Sequence, residues 1–472
     1  MPFSNVYIGL VRKDPVTGEK VIPSMAKEWR ISPGSTEYIF TMAPGIRWHD
    51  GQPLTTEDVA WSLNRIAHPP KGVVSPRAGG LLVGMVKAEA LDATRVRITL
   101  DAPSSSFLER LANDWIIVLP KHVLDKKQGD ALDAAIGSGP FKLLRYNPNV
   151  SIELTKNKDY FVPARPYLDG ITFFLIPDDR TAFAALRAGR VLLTTVASRA
   201  ISATDAELVE NDPGLSRNIL IERYASPTKF GFLANTQSPP WNDVRLRRAV
   251  SLALDRQAAV KVAKNAVLAG YLNPRTIWGI PLEELQKRPG YRQPKDQDIA
   301  EAKRLLAEAG YPKGLDLSLP CRQGADCEQL TPLIKSDLAK IGVRVSISPT
   351  APNVLTEIFS KGQFRAAAYS AAAPLLDPDS ALTLYTTGDG RNYSRFSDAQ
   401  VDAWFKEQGR TLDQTQRLAI VRKIEERLLD LEPHPTTFFY DYLRGRWRTV
   451  KGFRSGPDLF QDENLEYAWL DR

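Results

Sequence analysis

The feature that most constrains this sequence is its steady alternation of helical and strand patterns, most of them punctuated at both ends. Thr55-Thr-Glu-Asp58 reads as a capping box ahead of Val59, Leu63 and Ile66, which recur at helical spacing. Asp243 precedes Leu246, Ala249, Val250, Ala253 and Leu254, one apolar face of a helix. Residues 300–309 read as a helix stopped by Gly310 and Pro312, and Thr331-Pro332 opens another that carries Ile334, Leu338 and Ile341. Gly342 ends that helix, after which Val343, Val345 and Ile347 alternate as a strand. A long helix is predicted from Thr411, burying Leu418, Val421, Ile424, Leu428 and Leu431 and halted by Pro433. Strands are predicted at 38–41, at Val96, Ile98 and Leu100, at Ile152 and Leu154, at 171–176 and at 230–233. Such alternation, with no 20–50-residue repeat, predicts α/β lobes with mixed sheets and excludes a solenoid. In α/β sheets of this kind ligands gather where strand ends meet a crevice.

The 472 residues predict about three domains, or one large bilobed body. A hydrophobic share of 43% and a charged share of 25% exclude collagen-like, coiled-coil and wholly disordered chains. Net charge is +7, spread along the chain without a Lys/Arg block, so no nucleic-acid arm is expected. No run approaches the roughly 20 apolar residues of a membrane span. The most apolar stretch, 366–376, is broken by Tyr369, Ser370 and Pro374. The opening Met-Pro-Phe-Ser-Asn-Val-Tyr lacks a basic start and apolar core. The expectation is a cytosolic chain, or one whose first segment has been removed.

Catalytic patterns are sparse. The histidines His49, His68, His122 and His434 are isolated, and none forms a metal-ligand pair. The nucleophile-elbow, dinucleotide and P-loop patterns are absent. Ser226-Pro-Thr-Lys229 matches S-x-x-K, but so does Ser24-Met-Ala-Lys27, which shows how easily that pattern arises. A serine hydrolase using Ser226 and Lys229 is therefore the alternative reading. Asp377-Pro378-Asp379 reads as a capped turn. Cys321 and Cys327 are too few for zinc and leave two readings open, a small disulfide-closed loop or two incidental thiols.

A family likeness runs nearly end to end. It is carried by Ala26-Lys-Glu-Trp29, Tyr38-Ile-Phe40 and Ile46-Arg-Trp-His-Asp-Gly-Gln-Pro-Leu-Thr-Thr-Glu-Asp-Val59. Gly137-Ser-Gly-Pro-Phe141, Asn157-Lys-Asp-Tyr160, Tyr167-Leu-Asp-Gly-Ile171 and Leu186-Arg-Ala-Gly189 continue it. Asn235-Thr, Pro240-Trp-Asn-Asp-Val-Arg-Leu-Arg-Arg-Ala249, Asp255-Arg256, Leu338-Ala-Lys-Ile-Gly342, Asp377-Pro378 and Asn392-Tyr-Ser394 complete it. In these segments, in this order, the chain resembles the family 5 extracellular solute-binding proteins, the dipeptide, oligopeptide and nickel receptors of ABC transporters.

The resemblance implies an α/β, bilobed periplasmic-binding-protein-like fold with mixed sheets, a hinge and an extra inserted domain. Mapped here, the first lobe is expected at 1–7, 135–235 and 452–472, the inserted domain at 8–134 and the second lobe at 236–451. It implies a monomeric, periplasmic or otherwise extracytoplasmic receptor that closes on a small solute and delivers it to permease subunits. The solute expected is a peptide, an opine-like molecule or another carboxylated compound. No cofactor, metal or nucleic acid is expected, and a sensor that does not transport is a further alternative. Relatives begin with a signal peptide and an opening strand that this sequence does not show, and a truncated chain or a misplaced start codon is the expected reason. The family's compartment favours an oxidised Cys321–Cys327 pair.

The candidate ligand residues follow from the same resemblance. Peptide-binding relatives carry an acid before the Asp-Pro motif, where this chain has Pro374, and an aromatic three residues earlier, where it has Ala371. Proline offers nothing to a buried ammonium, so unmodified dipeptides are expected to bind weakly unless a neighbouring acid substitutes. Tyr369, Ser370 and Tyr393 are expected to stack on or hydrogen-bond the solute. Phe230 and Phe232, on one face of a strand, are expected in the site or in the core. Arg77 and Arg322 are candidate carboxylate clamps. Trp29, Trp48 and Trp61 read as core.

Overall fold

The computed structural model describes residues 3–14, 20–71, 81–124, 135–194, 201–324, 326–453 and 464–471. The contacts divide the chain into two compact units, Met1–Glu222 with Leu443–Arg472, and Arg223–Tyr442.

In the first unit a short pair, β1 (Val11–Lys13) and β2 (Val21–Pro23), precedes a four-stranded antiparallel sheet. That sheet comprises β3 (Ala26–Ile31), β4 (Glu37–Met42), β5 (Met85–Ala90) and β6 (Arg95–Leu100), in the order β3-β4-β6-β5. Burial alternates along β4 and β6, with Tyr38, Phe40, Met42, Val96, Ile98 and Leu100 inward, as a sheet with one covered face requires. The helix Thr56–Ala67 buries Val59, Leu63 and Ile66. Its capping box forms as the sequence predicts: the Thr55 hydroxyl accepts from the Asp58 N–H, and the Asp58 carboxylate accepts from the Thr55 N–H at 2.9 Å. Of the three tryptophans expected in the core, only Trp48 is fully buried. Trp29 and Trp61 stay partly exposed, and Trp61 lies 5.3 Å from the Arg65 guanidinium, so its ring packs beneath a charged side chain.

A second, three-stranded antiparallel sheet follows, with β7 (Phe141–Asn147), β8 (Ser151–Lys156) and β9 (Gly170–Phe174) in sequential order. Its core gathers Phe141, Ile152 and Leu154 with Val6, Tyr7, Phe453 and Leu465. The fully buried Glu466 is paired with Arg12 and accepts a 3.2 Å hydrogen bond from Tyr160, so its charge is compensated where it is desolvated.

The second unit is built on a mixed six-stranded sheet in the order β11-β15-β10-β14-β12-β13. The strands are β10 (Ile219–Ala234), β11 (Ala266–Leu268), β12 (Leu315–Arg322), β13 (Val343–Thr350), β14 (Ala366–Ala372) and β15 (Thr436–Trp447). Strand β12 runs parallel to β13 and β14, while β10 is antiparallel to β14 and β11 to β15. The chain crosses between the units twice, once within β10 and once within β15. Gly231 is required by close packing: a Cβ there would run into the Pro435 carbonyl and approach the Thr436 Cα to 2.9 Å.

The helices Val244–Ala253, Asp296–Glu308 and Thr331–Ala339 pack on this sheet through Leu246, Ala249, Val250, Leu306, Ile334 and Leu338. Asp243 caps the first of them, accepting from the Arg245 N–H at 2.8 Å. The long helix begins at Gln414 rather than Thr411, because Asp413 is its N-cap and Thr411 closes the preceding helix Ala399–Arg410. Its buried face includes Ile420, Val421, Ile424 and Leu428, and also the charged Arg417 and Glu425. Among the described residues no helix is long and apolar enough to cross a membrane.

Candidate functional site

The carboxyl end of β12 runs alongside β14 in the second unit, where the Cys321 Cα pairs with Ala368, two residues before Ser370. Cys321 and Cys327 are joined in a disulfide with their Cα atoms 5.3 Å apart, closing the loop that follows β12. Both cysteines are buried in the sheet's main core, so the loop is anchored from beneath. Asp326 opens a single π-helical turn, Asp326–Leu330. Its carboxylate accepts a 2.6 Å hydrogen bond from Ser370 Oγ on β14 and a 2.8 Å bond from the Tyr440 hydroxyl on β15. Tyr440 packs edge-on against Phe438 at 5.0 Å, which in turn stacks on Phe230 at 5.6 Å. Thr228, one pair along from Phe230 on the same face, shares a 3.1 Å hydrogen bond with the Tyr442 hydroxyl. Two hydroxyls, of Ser370 and Tyr440, thus hold one carboxylate, and a second hydroxyl pair, Thr228 with Tyr442, lies on the neighbouring strands β10 and β15.

The expected site residues divide. Ser370 joins this cluster, and Arg322, the last residue of β12, is exposed in the same disulfide-closed loop. Pro374 is half-buried just beyond β14. Tyr369 and Tyr393 are brought together, rings 5.9 Å apart, but around Phe359, at 4.9 Å and 5.4 Å, in a mostly apolar cluster. Burial, and to a lesser degree the neighbouring Tyr393, raise the Tyr369 phenol above its ordinary range, against the opposing pull of Arg391 and Arg322. Phe230 and Phe232 are core residues, 2% and 0% exposed, the latter edge-on to Trp241 at 5.0 Å, and neither has surface to offer a solute. Ala371 is likewise buried, because its side chain points to the covered face opposite Ser370. Arg77 lies outside the described residues.

The Asp377-Pro378 motif is structural. Asp377 caps the helix Pro378–Leu382 by accepting from the Asp379 N–H at 2.9 Å. Arg417 grips the same carboxylate bidentately at 2.8 and 2.7 Å, a partner nothing in local sequence announces. The S-x-x-K pair is not assembled. Three residues apart on a strand, Ser226 and Lys229 face opposite ways. The Ser226 hydroxyl accepts from the Thr228 N–H at 2.9 Å, while Lys229 Nζ donates to the Tyr271 carbonyl at 3.1 Å. The hydrolase geometry is therefore absent.

Behind the strand ends lies a buried polar network that sequence reading missed. Lys229 Nζ lies 4.7 Å, 5.1 Å and 5.7 Å from the rings of Tyr385, Tyr271 and Phe439. Desolvation lowers its pKa to about 7, only partly offset by the attraction of Glu425. Glu425 accepts from the N–H groups of Tyr271, Leu272 and Ile280 at 2.9–3.0 Å, yet burial still raises its pKa to about 7. Glu432 accepts from Ser251 at 2.6 Å and Tyr271 at 3.1 Å, and burial, countered by Arg256, brings it to about 7 as well. Burial and then Lys229 depress His434, which holds it neutral beside the Tyr385 hydroxyl. Among the described residues no three His, Cys, Asp or Glu side chains are grouped to hold a metal ion.

Comparison with known proteins adds the context. The sequence model described as bacterial extracellular solute-binding proteins, family 5 Middle, matches residues 20–393. A probable deoxycholate-binding periplasmic protein, YgiS of Escherichia coli K12, is 30% identical over 98% of this chain and 87% of its own length. The solved periplasmic binding protein DppA of Helicobacter pylori, in complex with the peptide STSA, is 25% identical with a TM-score of 0.79, covering 99% of this chain and 93% of the other. AgaA of A. tumefaciens R10, in complex with agropinic acid, is 26% identical with a TM-score of 0.78, covering 100% and 94%. The periplasmic-binding-protein fold expected from the sequence is thereby established.

Proposed function

Because the chain belongs to the bacterial extracellular solute-binding proteins of family 5, we propose that it is the receptor of an ABC importer, capturing a peptide-like or otherwise carboxylated solute outside the cytoplasm and handing it to a membrane permease. The observation that carries this reading is similarity over nearly the whole chain to binding proteins solved with a peptide and with agropinic acid, and to one named as a probable deoxycholate-binding protein. The strand-end cluster of Asp326, Ser370 and Tyr440, with Arg322 beside it, is the part of the second unit suited to meet such a solute. The protein acts as a monomer in the periplasm or its equivalent, binding without transforming. The domain organisation proposed is a first lobe of 1–7, 135–235 and 452–472 that carries the inserted domain at 8–134, with the second lobe at 236–451.

Thermal-shift screening against peptides, opines, sugars, organic acids and bile salts tests the proposal. A true ligand at about 100 times its Kd stabilises the protein by about 2.7 kcal/mol. Stabilisation without conversion of the solute is the expected result, and steady multiple turnover of a bound compound overturns it.

A further inference from the structure

We infer that Asp326 receives a positively charged nitrogen of the solute, making the ligand class an amine-bearing, amino-acid-derived compound rather than a purely anionic one. This rests on the receptor reading above and names the chemistry of the same site. Position 374 lacks a charge, but the structure brings a carboxylate to the strand ends from a different direction, out of the disulfide-closed loop.

Three observations support the assignment. First, the carboxylate is aimed and held. Ser370 and Tyr440 donate one hydrogen bond to each of its oxygens, from two different strands, and the loop carrying it is locked by Cys321–Cys327. An ionised carboxylate has about four acceptor positions, so two neutral donors leave room for a charged one. Second, among the described residues no Lys, Arg or His lies within ion-pairing distance of Asp326, although its surroundings are half-buried. A carboxylate so placed gains most from a cation arriving with a ligand. Third, the strand beyond Ser370 carries only small side chains. After Ser370, β14 continues as Ala371-Ala372, and Ala372, on the same face as Ser370, is exposed with only a methyl group. Arg322, in the same closed loop, adds a charge of opposite sign, which suits a solute bearing both an ammonium and a carboxylate.

Isothermal titration of the full chain with a panel of dipeptides, their N-acetyl forms and deoxycholate tests this. For native protein, free dipeptides bind and N-acetylation weakens them strongly. In D326N the free dipeptides lose about 100-fold in affinity, as expected when one partner of a desolvated charge pair is removed, while the residual binding of acetylated forms is unchanged. D326E, which keeps the charge, recovers part of the loss, and an unchanged melting curve without solute shows that the fold is intact. Equal dipeptide affinity in D326N and native protein overturns the assignment, leaving Asp326 as a tie between strands. Binding of deoxycholate alone, insensitive to D326N, also overturns it while leaving the receptor reading intact. If none of the broader solute classes binds, the receptor reading itself falls.

Discussion

Replacing Lys229 with Met removes one buried charge while keeping a long apolar side chain, and the structure fixes how the effect must depend on pH. The amine is fully buried, donates to the Tyr271 carbonyl, and has a pKa lowered by desolvation from 10.5 to about 7. At about 1.4 kcal/mol per pH unit, that gap amounts to about 5 kcal/mol. The unfolded chain holds the proton up to pH 10.5 and the folded chain releases it near 7, so the unfolded state binds more protons between those values. The deficit is therefore complete below about pH 7, shrinks as pH rises, and is gone above about 10.5. Against this, K229M strands the Tyr271 carbonyl, at about 1–3 kcal/mol, and forfeits contacts between the cation and the rings of about 0.5–2 kcal/mol. The variant is expected to be about 2 kcal/mol more stable than native protein near pH 6 and less stable near pH 10, as measured by urea unfolding followed through tryptophan fluorescence. A stability difference constant to within about 1 kcal/mol across that range would refute the reasoning, because it would mean that Lys229 keeps an ordinary pKa inside the fold.

Arg417→Ala leaves the Asp377 carboxylate without its bidentate partner, both side chains being at most 10% exposed, and should cost about 3–5 kcal/mol by calorimetry, whereas an exposed pair such as Arg304–Glu301 should cost under about 1 kcal/mol. Thr55→Ala removes half of the capping box and should lower stability by about 1 kcal/mol in denaturant titration. Reduction of Cys321–Cys327 should destabilise the second unit by about 2 kcal/mol and weaken solute binding in parallel, since the same loop carries Asp326; free thiols in protein taken from its native envelope would contradict the oxidised loop.

How much of this was legible in the sequence depends on the range of the interactions involved. The capping box at Thr55, the Asp243 cap and the β13 alternation are local, and periodicity found them because the responsible atoms lie within four residues. The start of the long helix was misplaced by a few residues because Thr411 and Asp413 are both competent caps, and the choice was made by the helix that ends at Arg410. Phe230 and Phe232 share a face, as their spacing requires, but spacing does not say whether that face is lined by solute or by Trp241 and Phe438. The partners of Arg417, Glu425 and Lys229 come from distant segments, and no local pattern encodes them.

Asp326 shows where a signal existed. It sits beside the second cysteine of Cys-Arg-Gln-Gly-Ala-Asp-Cys, with an arginine beside the first. Read as a thiol pattern, the segment yields only a bridge. Read as a closed loop, it yields two opposite charges carried by one disulfide-closed segment after a parallel strand pair, where α/β sheets bind their ligands. What the sequence lacked was the other half, the hydroxyls of Ser370 and Tyr440 that turn a surface acid into an oriented acceptor. Those residues lie 44 and 114 positions away, and only the sheet order β15-β10-β14-β12 brings them within reach of one carboxylate. If Asp326 receives the solute as proposed, recognition depends on strand order as much as on any single residue, so a substitution that shifts β14 against β12 should disturb solute binding even with Asp326, Ser370 and Tyr440 all retained.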